Sequence, residues 1–395
     1  MAFWRQKQIA RFEVRVRIVL FFTTLLLLSG QNEAFSKIPT WHGQLSGWVS
    51  GNQGKNLISQ AGVRYIPEVF IEKTLNNNLL ADADISLNTY STGNFNDWRN
   101  PDIKTKFKPY RLWGRFVTNQ FEARIGLQKI NFGSAMLFRP LMWFDSIDPR
   151  DPLNLTDGVQ GILLRYNFQN NANIWLWGLY DNNDLKGWET APTEDNGTEF
   201  GGRFQAPVYT GEAGITYHHR NADFSKISSL PSVSSNNIVE ENRVAFDCKF
   251  DVKIGLWFEG AIIQRDTNIS LMKYQRMMTI GADYTFGMGN GLNVLTEFFN
   301  SENSDKLFKA GDGIQFSGSS VNYPIGLLDS VSGIYYYDWT NRDNYMLLNW
   351  QRTYDNWILY LIGFFNPETV RLNQTQASGN AFSGNGFQII VAFNH

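Results

Sequence analysis

Between residues 130 and 157 the chain interleaves charged side chains with bulky apolar ones. Arg139, Asp145, Asp148, Arg150, Asp151 and Asp157 alternate with Phe132, Leu137, Phe138, Leu141, Met142, Trp143 and Phe144. Opposed fixed charges of this kind set a field across any gap between them, and guanidinium forks suit carboxylate or phosphate oxygens. Two bland readings stand beside that one: the charges neutralise one another in a wet interior, and Trp143 and Phe144 anchor the segment rather than stack on a sugar ring. Loops beyond about 12 to 15 residues without their own secondary structure are functional or disordered. The apolar content here argues for packing, and Pro140, Pro149 and Pro152 each fix φ and remove a backbone donor.

The elements that would position this segment follow a two-residue period. In 79–90, Leu79, Ala81, Ala83, Ile85 and Leu87 alternate with Asp82, Asp84, Ser86 and Asn88. The pattern returns at Phe121 to Gln128, at Arg243 to Phe250, at Met277 to Phe286, at Leu292 to Phe298 and at Phe387 to Asn394. Such strands have one oily and one wet face. The connections between them alternate in length. Short turns at 76–78, 118–120, 169–171, 207–210, about 251, 287–291 and 354–356 are interspersed with mostly longer polar stretches, among them 91–109, 133–158 and 301–342. Seven turns and eight loops predict sixteen strands with both termini on the short-turn side. Residues 333–339 (GIYYYDW) would raise the count to eighteen if they lie in the sheet rather than in a loop.

An even number of tilted antiparallel strands closes into a barrel, which removes sheet edges and satisfies the backbone inside lipid. Apolar positions then face lipid and their neighbours face a lumen. The expected pore wall includes Arg111, Arg115, Glu122, Arg124, Arg165 and Arg203, with Glu259 and Glu297 among other inward residues. The expected constriction is Arg139, Trp143, Asp145, Asp148, Arg150, Asp151 and Asp157.

Composition bounds the alternatives. Five basic residues precede the apolar run 18–28, followed by Ala34-Phe35-Ser36, the pattern of a secretory signal peptide over residues 1–36 ahead of a barrel over 37–395. Beyond it no apolar stretch reaches the length of a membrane helix. Of 35 basic and 37 acidic side chains, 30 and 35 remain after the leader, so there is no basic footprint for nucleic acid. Cys248 is the only cysteine, so no intramolecular disulfide forms. Four histidines without cysteine partners give no metal-ligand spacing, and no cofactor is expected. No serine is clearly partnered with His219, which argues against a surface hydrolase.

Arg124-Ile125-Gly126-Leu127-Gln128 running into Phe132-Gly133, Glu199 to Gln205, and the terminal strand 386–393 resemble the Gram-negative outer-membrane porin superfamily. Arg-x-Gly-x-Gln before the third long loop is similar to the phosphate-selective and alginate-export type. The resemblance implies an up-and-down barrel whose third extracellular loop, here 133–158, turns into the lumen. It implies outer-membrane lipid and small hydrophilic solutes as partners, a homotrimer, and no catalytic residue. The leading expectation is a passive diffusion channel. The alternatives are a specific channel for an anionic oligosaccharide or phosphate, and a plugged structural or secretion-linked barrel. Porin chains usually end on an aromatic residue, whereas Phe393 is followed here by Asn394 and His395.

Overall fold

In the computed structural model the described residues are 39–53, 57–76, 78–95, 101–227, 238–267, 272–368 and 382–395. The leader expected over 1–36 lies outside them. Eighteen antiparallel strands form one sheet. They are β1 (Thr40–Gln53), β2 (Leu57–Asn76), β3 (Leu79–Asn94), β4 (Asp102–Val117), β5 (Phe121–Gln128), β6 (Val159–Asn167), β7 (Asn173–Tyr180), β8 (Thr198–Val208) and β9 (Gly211–Asp223). The second half comprises β10 (Ile238–Asp251), β11 (Gly255–Arg265), β12 (Tyr274–Phe286), β13 (Leu292–Ser304), β14 (Asp312–Pro324), β15 (Asp329–Asp338), β16 (Asp343–Thr353), β17 (Trp357–Phe365) and β18 (Asn385–Asn394). Each strand pairs with its sequence neighbours, and β1 pairs with both β2 and β18, so the sheet closes. Backbone pairs between Gly43 and His395 extend that seam past the last strand residue.

The two-residue period sets which face is which. On β10, Val244 and Phe246 are 47% and 48% exposed, while Arg243 and Asp247 are 1% and 4% exposed. Charges lie inward and oil outward, the inverse of a water-soluble sandwich and the requirement of a barrel in lipid. Aromatic pairs Tyr166–Phe168, Tyr284–Phe286 and Trp357–Phe393, with ring centroids 4.9, 4.8 and 4.6 Å apart, cluster near the short turns at the end that carries both termini. Amphipathic rings favour that interface.

The count is eighteen because 301–342 contains β14 and β15 rather than one long loop. GIYYYDW lies in β15 and its immediate exit. β14 carries Ser317, Gly318, Ser319 and Ser320 in mid-strand, so it shows little apolar alternation. Gly318 has a packing reason: a Cβ there would press on the side chains of Phe138, Leu137 and Tyr336.

The Arg-x-Gly-x-Gln stretch also acquires a physical reason. Gly126 has φ +120°, and any Cβ there would run into the Leu112 carbonyl on β4. Only glycine takes up that conformation without strain.

Candidate functional site

Residues 129–158 connect β5 to β6 and touch strands far from both in sequence. Glu259 on β11 accepts the Ala135 and Leu141 N–H groups at 2.7 and 3.3 Å. Glu297 on β13 accepts those of Met136, Leu137 and Phe138 at 2.6, 3.0 and 2.7 Å, and the Trp257 indole N–H at 2.9 Å. The Thr279 hydroxyl on β12 donates to the Phe138 carbonyl at 2.7 Å. All three wall residues belong to the face opposite the exposed apolar one. A segment with no ladder of its own thus has its backbone donors satisfied by carboxylates from the wall, as buried polar groups require.

Around those hydrogen bonds sits an aromatic core. Phe138 stacks on Phe299 at 5.5 Å and tilts against Phe316 and Tyr336. Phe132 stacks on Trp177 at 5.8 Å, and Phe144 meets Trp177 edge-on at 5.3 Å. Each aromatic pair is worth about 0.5–1.5 kcal/mol beyond the area it buries. Trp143 is buried in this cluster, donating its indole N–H to Pro140 O at 3.1 Å and lying beside His218. Trp188, from the connection between β7 and β8, donates to Arg139 O and stacks on Phe299 at 4.6 Å.

The charged residues of the segment pair mainly close to home. Arg139 makes a two-pronged contact with Asp145 at 2.8 and 3.0 Å and reaches Asn131 at 2.6 Å. Arg150 does the same with Asp148 at 2.9 and 2.8 Å, with its guanidinium over Phe382. Burial holds the Asp151 carboxyl above its ordinary value, although the Leu153 and Leu155 N–H groups donate to it. Burial also pushes Asp157 upward, but the Lys108 ammonium at 2.5 Å together with Lys186 and Arg111 outweighs it and the carboxyl lies below the usual range.

The expected wall arginines divide into two sets. Arg203 is buried against Asp247 at 2.5 and 2.8 Å, with its guanidinium over Phe132. The others line β4 to β6. Arg111 donates to the Tyr110 and Thr156 carbonyls and has no carboxylate partner among the described residues. Arg115 grips Asp82, while Arg124 and Arg165 share Glu122 with it at 2.8 and 3.9 Å. Arg124 lies 4.7 Å from the Trp113 ring centre and Arg165 3.7 Å from that of Trp175. A guanidinium laid on an indole is held in place without being neutralised.

Between this wall and the segment lies a cavity of about 450 Å³. Asp148, Asp151 and Asp157 line it, facing Arg64, Lys108, Tyr90 and Tyr110 from β2 to β4 and Lys186 from the connection after β7. Arg139, Trp143, Asp145 and Arg150 are not among its lining residues. Sequence reasoning passed over Arg64, Lys186 and the three lysines Lys104, Lys106 and Lys108. The last three fall in the 91–109 stretch that the sequence pattern presents as a connection, although DIKTKFK alternates cleanly and forms the start of β4.

No protein-family model matches the chain, and no characterised protein matches it in sequence. Solved structures do match in shape. OccAB1 of Acinetobacter baumannii is 9% identical, with a TM-score of 0.56 over 93% of this chain and 99% of its own. OccK5 (OpdH) of Pseudomonas aeruginosa is 9% identical, with a TM-score of 0.55 over 92% and 99%. Both are outer-membrane proteins of the porin class.

The chain has the fold of the outer-membrane porins. Within that fold it is a multi-pass barrel of the Gram-negative outer-membrane type, crossing with strands. Among the described residues no helix is long and apolar enough to span a membrane. The 129–158 segment is the third connection at the end of the barrel opposite the termini, after those following β1 and β3.

Proposed function

We propose that this protein is an outer-membrane porin, a passive diffusion channel for small hydrophilic solutes, with 129–158 folded into the lumen as its constriction. The observation that carries the reading is the division of the inner face. Where the segment meets β7 and β11 to β16 the space is an aromatic core. Where it meets β2 to β6 there is a polar cavity followed by cations on indoles. The path is therefore off-axis, along β2 to β6.

In this mechanism no bond is made or broken. A solute enters beside Lys108 and Lys186, passes the carboxylates Asp151 and Asp157, and moves along Arg111, Arg115, Arg124 and Arg165. Opposed charges set a transverse field and an electrostatic barrier. Arg139 and Asp145 act by holding the segment's shape, and Trp143 by anchoring it.

Single-channel recording of the refolded protein in a planar bilayer tests this. Stable conductance is expected. Under a salt gradient the reversal potential should shift toward cation selectivity when Arg115, Arg124 and Arg165 are replaced together by Gln. No conductance from a folded, inserted barrel would overturn the channel reading in favour of a plugged one.

A further inference from the structure

We infer that the cavity between 129–158, the wall of β2 to β4 and the connection after β7 is a binding site for a short zwitterionic peptide, two or three residues long with both ends uncapped. The inference rests on the channel reading and names a substrate class for that site.

Lys186 is the side chain that asks for a ligand. It lines the cavity and is 7% exposed, yet its ammonium has no hydrogen bond or ion pair among the described residues. Its backbone is fixed on both sides. The Lys186 N–H donates to Glu189 at 2.9 Å, and Glu189 is itself held by Arg220 and Arg243 at 3.1 and 2.7 Å. The next residue, Gly187, has φ +43°, and a Cβ there would run into the Met142 carbonyl. A buried charge is costly unless it is paired. An ammonium held in this way with no protein partner points to an anionic group supplied from outside.

The rest of the cavity shows why a bare anion is not enough. Asp148 is taken by Arg150 and Asp157 by Lys108. What stays open on the lining is Arg64 and Lys186 against Asp151 and Asp184. Arg64 lies 5.5 and 5.0 Å from the ring centres of Trp48 and Tyr90, and no carboxylate among the described residues is at ion-pair distance from it. Asp151 accepts the Leu153 and Leu155 N–H groups but no cation. Two open cations and two open carboxylates cancel, so a solute of one sign is repelled as much as it is attracted. A solute carrying one charge of each sign satisfies both.

Spacing sets its length. Arg64 acts on Asp151, and Lys186 acts on Asp157 beside Lys108, so the open groups fall at two ends. Arg64 pairs with Tyr90 of β3, and Lys108 pairs with Asn88. Two strand spacings and two residues along the strand put those ends roughly 12 Å apart at the backbone, a gap that the side chains reaching inward shorten. A single amino acid carries both charges on one carbon and bridges neither end. An extended peptide gains about 3.3–3.6 Å per residue, so two or three residues suffice. The volume of about 450 Å³ lies within the range of small-molecule sites, about 300–1,000 Å³. The peptide carboxylate meets Lys186 and its ammonium meets Asp151, while Asn88 and Ser146 on the lining suit the peptide groups.

The test is single-channel recording of the refolded protein in a planar bilayer, with trialanine, N-acetyl-trialanine, trialanine amide or alanine added from the loop side. Losing one charge-assisted contact costs about tenfold or more. Either capped peptide, and alanine, should therefore need at least about tenfold more than trialanine for half-block. Lys186→Gln should raise the trialanine value by a similar factor and leave that of the amide, which has no carboxylate to offer, unchanged. Asp151→Asn should raise the trialanine value too and spare the N-acetyl peptide, which has no ammonium. Any of the other three probes matching trialanine on the wild-type protein would overturn the inference, and that comparison needs no variant to fold. A trialanine value left in place by either substitution would overturn it as well. A folded barrel that does not conduct sinks the channel reading separately. Calorimetry of the same four probes then decides the site: tighter binding of trialanine than of the other three supports it, and equal binding or none overturns it.

Discussion

Replacing Glu297 with Gln tests the attachment of the 129–158 segment most directly. The carboxylate is 2% exposed and accepts four N–H groups, three of them consecutive backbone donors at Met136, Leu137 and Phe138. A glutamine carbonyl offers two lone pairs, and its NH₂ confronts the remaining donors. Hydrogen bonds to a charged acceptor contribute about 1.5–3 kcal/mol each, so losing two costs about 3–6 kcal/mol. Not having to bury an ionised carboxylate returns part of that, leaving a net weakening of about 2–4 kcal/mol. The loss falls on local attachment rather than on the barrel, whose ladders are untouched. Hydrogen exchange of the amides at 135–141 reads it out: protection should fall by about 30-fold to 1000-fold, at about 1.4 kcal/mol per decade. Single-channel current should become noisier as the segment detaches and returns. Unchanged protection at 135–141 together with unchanged current noise would refute the claim that Glu297 holds the segment.

Arg139→Met leaves the Asp145 carboxylate, 1% exposed, without its partner, and should cost about 3–5 kcal/mol in a urea titration of the folded protein, whereas Arg139→Met with Asp145→Leu should cost less. Two of the cavity carboxylates, Asp151 and Asp157, should give opposite pH dependences. Asp151 is raised by burial, so the folded state binds its proton more tightly than the unfolded state, and stability falls as pH climbs from the ordinary carboxylate range through the raised value. Asp151→Asn should flatten that slope. Asp157 is lowered, burial being outweighed by Lys108, Lys186 and Arg111 together, so its contribution is complete above the ordinary range and disappears as pH falls through the folded value. Asp157→Asn should remove that acid-side loss, as read from thermal midpoints across pH. Gly126→Ala puts a Cβ against the Leu112 carbonyl at φ +120° and should lower refolding yield, visible as unfolded chain on an unheated gel.

The barrel itself was legible in the chain because a strand between lipid and water must alternate, and that alternation is a local pattern of period two. Residues such as Val244 against Arg243, or Phe387 against Gln388, declare their faces without knowledge of any partner. The 130–157 stretch was legible for a related reason, since that much oil and charge in one connection has to pack against something. Strands β14 and β15 were harder to see. Gly318 is small to make room for Phe138, which lies 180 residues earlier in the chain. The lysines of β4 alternate in plain view, yet only the bulge opposite Ser86 and Leu87 brings them onto the face of Arg111 and Arg115. The pairing of charges was decided wholly in three dimensions. Asp148 and Asp145 look like free constriction carboxylates in the sequence but are taken by Arg150 and Arg139 in the folded segment. Glu297 finds its donors 159 to 161 residues away. Sequence determines which side of a strand is oily, because that depends on each residue and its solvent. Which carboxylate meets which cation depends on register and on the path of one loop, and only the closed barrel sets those.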